Sequence, residues 1–258
     1  MDRSEYLCES FYDAFAPVYK HIYIDWEKST GEQAKVLDEL IRHKFSGEVK
    51  YILDASCGIG TQLIGLSRLG YELTGADISE KELSIAGEEL KKRDLPVDLH
   101  RCGFKDLPTC FERIFDMVIA CDNSLLHLLS DREIMEAFRS IYKVCKEGIL
   151  ISVRDYDEID RNIIHLVPYG YRQIDDKRMF LFQRWEFEGD FKTVSFFFIE
   201  DIHTGNSAPV TGRVHKTKFY AISTQKVMDL LKESGFTCAE CIKHRYGQPV
   251  IIGKKQGW

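Results

Sequence analysis

Apolar residues recur along this chain in two rhythms. Over 31–45 (GEQAKVLDELIRHKF), Val36, Leu37, Leu40 and Ile41 fall at helical spacing. The run 49–54 (VKYILD) is short, largely apolar and closed by an acid, which predicts a strand. Ser56-Cys57-Gly58-Ile59-Gly60 then predicts a sharp turn, and TQLIGLSRLG a helix that Gly70 ends. A second strand is predicted over 71–76, ending at Asp77. Ser79 is placed to cap a helix over 80–92, with Glu82 three residues on to complete a capping box. Further strands are predicted over 97–102, 115–120 and 148–153, with a helix over 131–146 headed by Ser130. Strands alternating with helices call for a parallel sheet covered on both faces.

The rhythm changes after residue 154. The segment 178–200 is rich in aromatic and β-branched residues and is broken by Glu188-Gly189-Asp190, which predicts an antiparallel hairpin. A polar loop with Gly205, Pro209 and Gly212 follows, then a strand-like run over 213–221. The earlier rhythm returns with Ser223 as a cap, the helix TQKVMDLLKES, Gly235 as its stop, and strands over 236–243 and 249–253. The prediction is one domain over 1–258: a doubly wound, mostly parallel seven-stranded α/β sheet with an antiparallel insertion over 155–222. Residues 1–30 form an N-terminal segment, 31–154 the core, and 223–258 the closing helix and strands.

Composition narrows the class. The 258 residues are 44% hydrophobic and 29% charged, ordinary for a globular chain that buries a substantial core unaided. A formal charge of −6 argues against a nucleic-acid partner, and no run of about 18 apolar residues predicts a membrane span. The start, MDRSEYLCESFYDAF, is acidic where a signal peptide is apolar, so a cytoplasmic location is expected. The eight cysteines are expected to be free thiols in such a reducing compartment. Cys238 and Cys241 form a CxxC with no second ligand pair, and they fall in a predicted strand. No metal site is expected.

Candidate chemistry gathers at the predicted strand ends. Gly58 and Gly60 allow a sharp turn and a close ligand approach, and the helix after them presents unpaired N–H groups. Asp77 ends the next strand, where a carboxylate can accept from both hydroxyls of a ribose; its bland alternative is a solvated acid leading a helix. Leu63 stands where a dinucleotide fingerprint has its third glycine, and no GK[ST] follows Gly60, so neither phosphate-binding pattern is met. What remains, Asp54 followed by Cys57-Gly58-Ile59-Gly60 and then Asp77, resembles the first two motifs of class I S-adenosylmethionine-dependent methyltransferases.

That resemblance implies S-adenosyl-L-methionine as cofactor. Asp54 and the turn Ser56-Cys57-Gly58-Ile59-Gly60 would hold its amino-acid tail and Asp77, with Ile78 beside it, its ribose. Phe104 or Asp106 would meet the adenine, and Cys121 would complete the pocket. Asp106 has a plain alternative as a surface loop acid. The segments Asn123-Ser124-Leu125-Leu126-His127-Leu128 and Arg154-Asp155-Tyr156-Asp157 sharpen the likeness toward the glycine and sarcosine N-methyltransferase group. Carried over, Asn123 would lie beside the acceptor amine and Arg154 would pair with its carboxylate. Arg154 has an alternative role in an internal pair with Asp155, Asp157 or an N-terminal acid. His127 reads more simply as a structural histidine, since nothing in the sequence orients it.

The start Phe11-Tyr12-Asp13-Ala14-Phe15-Ala16-Pro17-Val18-Tyr19 resembles the lid of many small-molecule methyltransferases. Tyr12 and Tyr19 would then touch donor or acceptor; otherwise the segment is an amphipathic helix making aromatic core contacts. The expected activity is methylation of a small-molecule acceptor, at an amine nitrogen of a carboxylate-bearing metabolite. Two alternatives stand beside it. One is an O-methyltransferase, or one acting on a larger metabolite or macromolecule. The other is a non-catalytic module that binds the donor or a nucleotide. The sequence leaves the oligomeric state open.

Overall fold

The most apolar strands lie in the middle of the sheet, where both faces are covered. In the computed structural model, β1 (Tyr51–Asp54), β4 (Phe115–Ala120) and β5 (Cys145–Ser152) are buried along nearly their whole length. The structure describes residues 3–45, 48–174, 177–202 and 211–255. Beyond β1 lie β2 (Glu72–Asp77) and β3 (Asp98–Arg101); beyond β5 lie β11 (Gln248–Lys254) and β10 (Cys238–Tyr246). The seven-stranded order is β10-β11-β5-β4-β1-β2-β3, parallel from β1 to β5, with β11 antiparallel to both its neighbours. This is the expected doubly wound sheet. Its order reverses between β1 and β4, and ligands of such sheets sit outside the strand ends at that crevice.

The caps fall where the sequence puts them. Ser79, Ser130 and Ser223 each accept a hydrogen bond from the N–H three residues on, heading α4 (Glu80–Lys91), α6 (Asp131–Val144) and α7 (Thr224–Glu233). Gly70 and Gly235 take left-handed conformations after their helices. Two differences are instructive. Asp25 caps α2 (Trp26–Lys44), so that helix starts five residues earlier than expected. The capping box of α4 is only half made: the Ser79 N–H donates to Asp77, and the Glu82 carboxyl turns toward the glycine turn.

α3 (Thr61–Ser67) packs against α2 through Gly65. A Cβ there would overlap the Thr30 carbonyl oxygen and lie 2.6 Å from the Ala34 Cβ. Gly65→Ala is expected to cost about 1–3 kcal/mol, because α2 must shift. Urea denaturation checks this.

The insertion is a four-stranded antiparallel meander of β6 (His165–Ile174), β7 (Lys177–Glu188), β8 (Phe191–Ile202) and β9 (Thr211–Tyr220). The predicted hairpin is present, with Glu188 paired to Phe191 around Gly189-Asp190. β6 went unpredicted because its period is interrupted: the register shifts between Pro168 and Gly170, as suits an edge strand. Gly205 and Pro209 of the expected loop lie outside the described residues, while Gly212 belongs to β9.

One expectation fails. Cys102, just past β3, is disulfide-bonded to Cys110 at the end of the single-turn α5 (Leu107–Cys110), so not all cysteines are free thiols. The turn brings the two Cα atoms to 6.5 Å, within bridging reach, which a spacing of eight residues does not reveal. The six others are free, Cys238 and Cys241 among them on β10, and the described residues hold no cluster fit for a metal. No helix of the described residues is long and apolar enough to cross a membrane.

Candidate functional site

The turn after β1 is bound to the end of β2 by main-chain chemistry. Cys57 N–H donates to the Ala76 carbonyl at 3.0 Å, and Gly58 N–H to Asp77 Oδ2 at 2.9 Å. Asp77 Oδ1 accepts from Ser79 N–H at 2.9 Å. The carboxylate is thus held from two sides, with lone pairs left for a ligand. Gly58 has φ +51°, and a Cβ on it would come within 3.1 Å of the Glu82 carboxylate, so only glycine fits this bend. Gly60, φ +89°, begins α3.

Two small lobes open on either side of Asp77. One, of about 50 Å³, is walled by Ser56, Asp77, Ile78, Gly103, Phe104 and Leu128. The other, of about 60 Å³, is walled by Cys57, Gly58, Gln62, Cys121, Asp122 and Tyr19 among others. Ser56, Asp77 and Ser124 border both. Of the residues expected to bind a cofactor, Ser56, Cys57, Gly58, Asp77, Ile78, Phe104, Cys121 and Tyr19 line these lobes. Three do not. Gly60 only shapes the turn, Asp106 is exposed outside the wall, and Asp54 is wholly buried behind the turn.

The lobes are strongly acidic. Asp54 Oδ2 and Glu82 Oε1 have no hydrogen-bond partner. Burial pushes Asp54 up to about 8 and raises Asp77, Glu82 and Asp122 as well, and Asp77 adds to the rise of Asp54 and Glu82. Such a hollow repels phosphate and suits a cation.

A larger cavity of about 300 Å³ adjoins the second lobe. Tyr12, Tyr19 and Asp122 form the wall common to both. The three residues expected at the acceptor, Asn123, Arg154 and Tyr12, all line this cavity. Asn123 adopts φ +70°, and its Oδ1 accepts from Arg154 N–H at 2.6 Å, fastening the end of β4 to the end of β5. The Arg154 guanidinium lies over Trp185, 4.9 Å from the ring centroid. Among the described residues no carboxylate pairs with it. Asp155, its suggested partner, is engaged instead by Lys243 and Thr224.

α1 (Arg3–Tyr19) closes the front and combines both readings of its sequence. Phe11 and Phe15 pack against Phe196, and Phe15 also against Phe198 of β8, while Tyr12 and Tyr19 face the hollows. Asp13 accepts from Ser79 Oγ at 2.7 Å and ties α1 to the cap of α4. α1 lends Ser4, Glu5 and Cys8 to the wall of the first lobe and Tyr12 and Tyr19 to that of the second.

His127 is structural, as expected, and it is held by side chains far away in the sequence. Its Nε2 lies 2.9 Å from the Tyr12 hydroxyl and its Nδ1 3.3 Å from Thr217 Oγ1. Burial pushes its imidazolium down to about 3, so the ring is neutral and fixes Tyr12 rather than taking protons. Asp122, Trp185 and Lys192 were missed. Asp122 immediately precedes Asn123 in the sequence, at the end of β4. Lys192 occupies the same phase of β8 as Val194, Phe196 and Phe198, and a lysine in the inward phase of a strand is a readable signal.

Residues 52–148 match the family model described as "Methyltransferase domain". The chain is 34% identical over 130 residues to the putative methyltransferase YqeM of Bacillus subtilis (strain 168), covering 46% of this chain and 52% of that protein. It is 27% identical over 138 residues to a glycine/sarcosine N-methyltransferase of Aphanothece halophytica, covering 53% and 51%. The chain thus spans about half the length of the curated relatives it matches. The crystal structure of Streptomyces venezuelae DesVI superposes with a TM-score of 0.78 at 17% identity, covering 93% of this chain and 98% of that one.

Proposed function

We propose that this chain, whose residues 52–148 form a class I S-adenosylmethionine-dependent methyltransferase domain, methylates an amine nitrogen of a small carboxylate-bearing acceptor. The observation that carries this reading is the shared wall. An acidic hollow fit for a nucleoside that bears a sulfonium and an ammonium meets a separate cavity across Tyr12, Tyr19 and Asp122.

The chain's own residues fit the donor. Asp77 offers its carboxylate to ribose hydroxyls, the Gly58 bend leaves room against the main chain, and Phe104 and Ile78 suit an adenine. The unpartnered oxygens of Asp54 and Glu82 favour positive charge. When bound, the donor supplies an electrophilic methyl group on a sulfonium.

The protein's task is then placement, since a displacement needs its nucleophile roughly 3–3.5 Å from the carbon. α1 and the second sheet exclude water. Arg154 holds the acceptor carboxylate, and Asn123 is locked beside it. Asp122, raised by burial, takes the proton that an ammonium must lose before its nitrogen can attack.

Incubation with S-adenosylmethionine and a panel of amines, read as S-adenosylhomocysteine release, tests the reading. Binding of the donor without release in any amine would favour a non-catalytic module. Arg154→Ala is expected to raise KM at least tenfold for carboxylate acceptors and little for uncharged ones. Equal effects on the two classes would mark Arg154 as structural.

A further inference from the structure

Lys192 is a buried cation without an anion. It is 4% exposed, and no other lysine or arginine of the described residues is buried as deeply. Its ammonium lies over three rings, 4.8 Å from the centroid of Tyr156, 4.5 Å from Trp185 and 4.6 Å from Phe219. Among the described residues nothing accepts a hydrogen bond from it. Ring faces attract a cation but do not neutralise it, and a buried ammonium without a counter-charge is costly. Burial, and then the nearby Arg154, push its ammonium well below the usual lysine range.

Lys192 and Arg154 ride on the same indole, that of Trp185, and both line the 300 Å³ cavity. The one acid of that lining is Asp122, which belongs to the wall shared with the donor lobe; neither cation touches that lobe. The lining therefore carries two positive groups away from the reacting wall and one negative group on it. A carboxylate on the acceptor is therefore drawn to the end of the cavity that holds both cations, away from the acid on the reacting wall.

We propose that Lys192 is a specificity-determining residue of the acceptor site, which with Arg154 binds a carboxylate at the end of the acceptor remote from its reacting nitrogen. This rests on the acceptor cavity assigned under the proposed function. It goes further by giving the site a second anion-binding group, supplied by the insertion rather than by the core. Selection against amines lacking a carboxylate follows, since they leave the buried Lys192 and the half-buried Arg154 without a counter-charge.

The test compares sarcosine with N-methylethanolamine, which keeps the secondary amine and replaces the carboxylate by an uncharged end. Binding to the full chain is read by the fluorescence of Trp185, which lies against both cations, and turnover by S-adenosylhomocysteine release. Wild-type protein should prefer sarcosine. Lys192→Met should weaken sarcosine about tenfold or more, acting mainly on KM, and should leave N-methylethanolamine within about twofold. Lys192→Arg should restore most of the preference. Calorimetry with S-adenosylhomocysteine, expected to bind Lys192→Met as it binds wild type, shows that the variant is folded.

The proposal is overturned if wild type binds the two amines alike, if neither carboxylate affinity nor KM responds to Lys192→Met, or if both amines weaken together. Failure of S-adenosylhomocysteine to bind wild type would instead overturn the donor site, a separate outcome.

Discussion

Replacing Asp77 by alanine should weaken S-adenosylhomocysteine binding by about a hundredfold or more while leaving the chain folded. A hydrogen bond to a charged group contributes roughly 1.5–3 kcal/mol, and a ribose offers two hydroxyls to this carboxylate. The variant also frees the Gly58 and Ser79 N–H groups, which Asp77 accepts at 2.9 Å each. The turn and the head of α4 then lose their common anchor. Asp77→Asn separates the two contributions. An amide has one acceptor oxygen, so it can satisfy only one of the two N–H groups, and it presents an NH2 to the other. Affinity should fall in both variants, with Asp77→Ala the lower. Calorimetric affinities within threefold of wild type for both would remove Asp77 from the site, and the donor reading with it.

The position of that anchor was legible in the sequence because it is local. A strand that ends on an acid, a turn with glycine where φ is positive, and a serine three residues before Glu82 each declare themselves within a few positions. The same holds for Asn123 and Arg154 at the ends of β4 and β5. What escaped the sequence is set by contacts distant along the chain. His127 is held by Tyr12, 115 residues earlier, and by Thr217, 90 residues later. Lys192 and Arg154 come together only through the ring of Trp185, 31 residues beyond Arg154 and on a neighbouring strand to Lys192. Glu82 completes a capping motif in sequence, yet in the structure its carboxyl serves the hollow, because the Ser79 N–H is already taken by Asp77. Local rules are overridden where several elements converge, and those places are the candidate site.

Asp54→Asn should make stability less sensitive to pH and weaken donor binding in the same variant. Asp54 has no exposed surface; one oxygen accepts from Ser56 N–H at 3.3 Å and the other has no partner. Burial pushes its carboxyl up to about 8, against about 4 for an unfolded chain. Below pH 4 both states hold the proton, and the group contributes nothing to the pH dependence. Between 4 and 8 the unfolded chain alone releases it, so stability falls by up to about 1.4 kcal/mol per pH unit. Above 8 both states are ionised and the penalty is constant.

Asparagine keeps the shape and removes the titration. Its own unsatisfied N–H is a cost independent of pH, so the diagnostic quantity is how the difference between variant and wild type changes with pH. From pH 5 to pH 8 that difference should move in favour of Asp54→Asn by up to about 4 kcal/mol, then level off. Urea denaturation at pH 5, 7 and 9 measures it. The ammonium of the amino-acid tail, which S-adenosylhomocysteine shares with the donor, supplies the counter-charge that Asp54 lacks. Wild-type affinity for S-adenosylhomocysteine should therefore rise toward pH 8, and Asp54→Asn should lose that rise along with about tenfold in affinity. A flat stability difference across the range would mean that Asp54 is not held protonated by burial. An unchanged affinity profile would mean that its orphaned oxygen plays no part in drawing the donor.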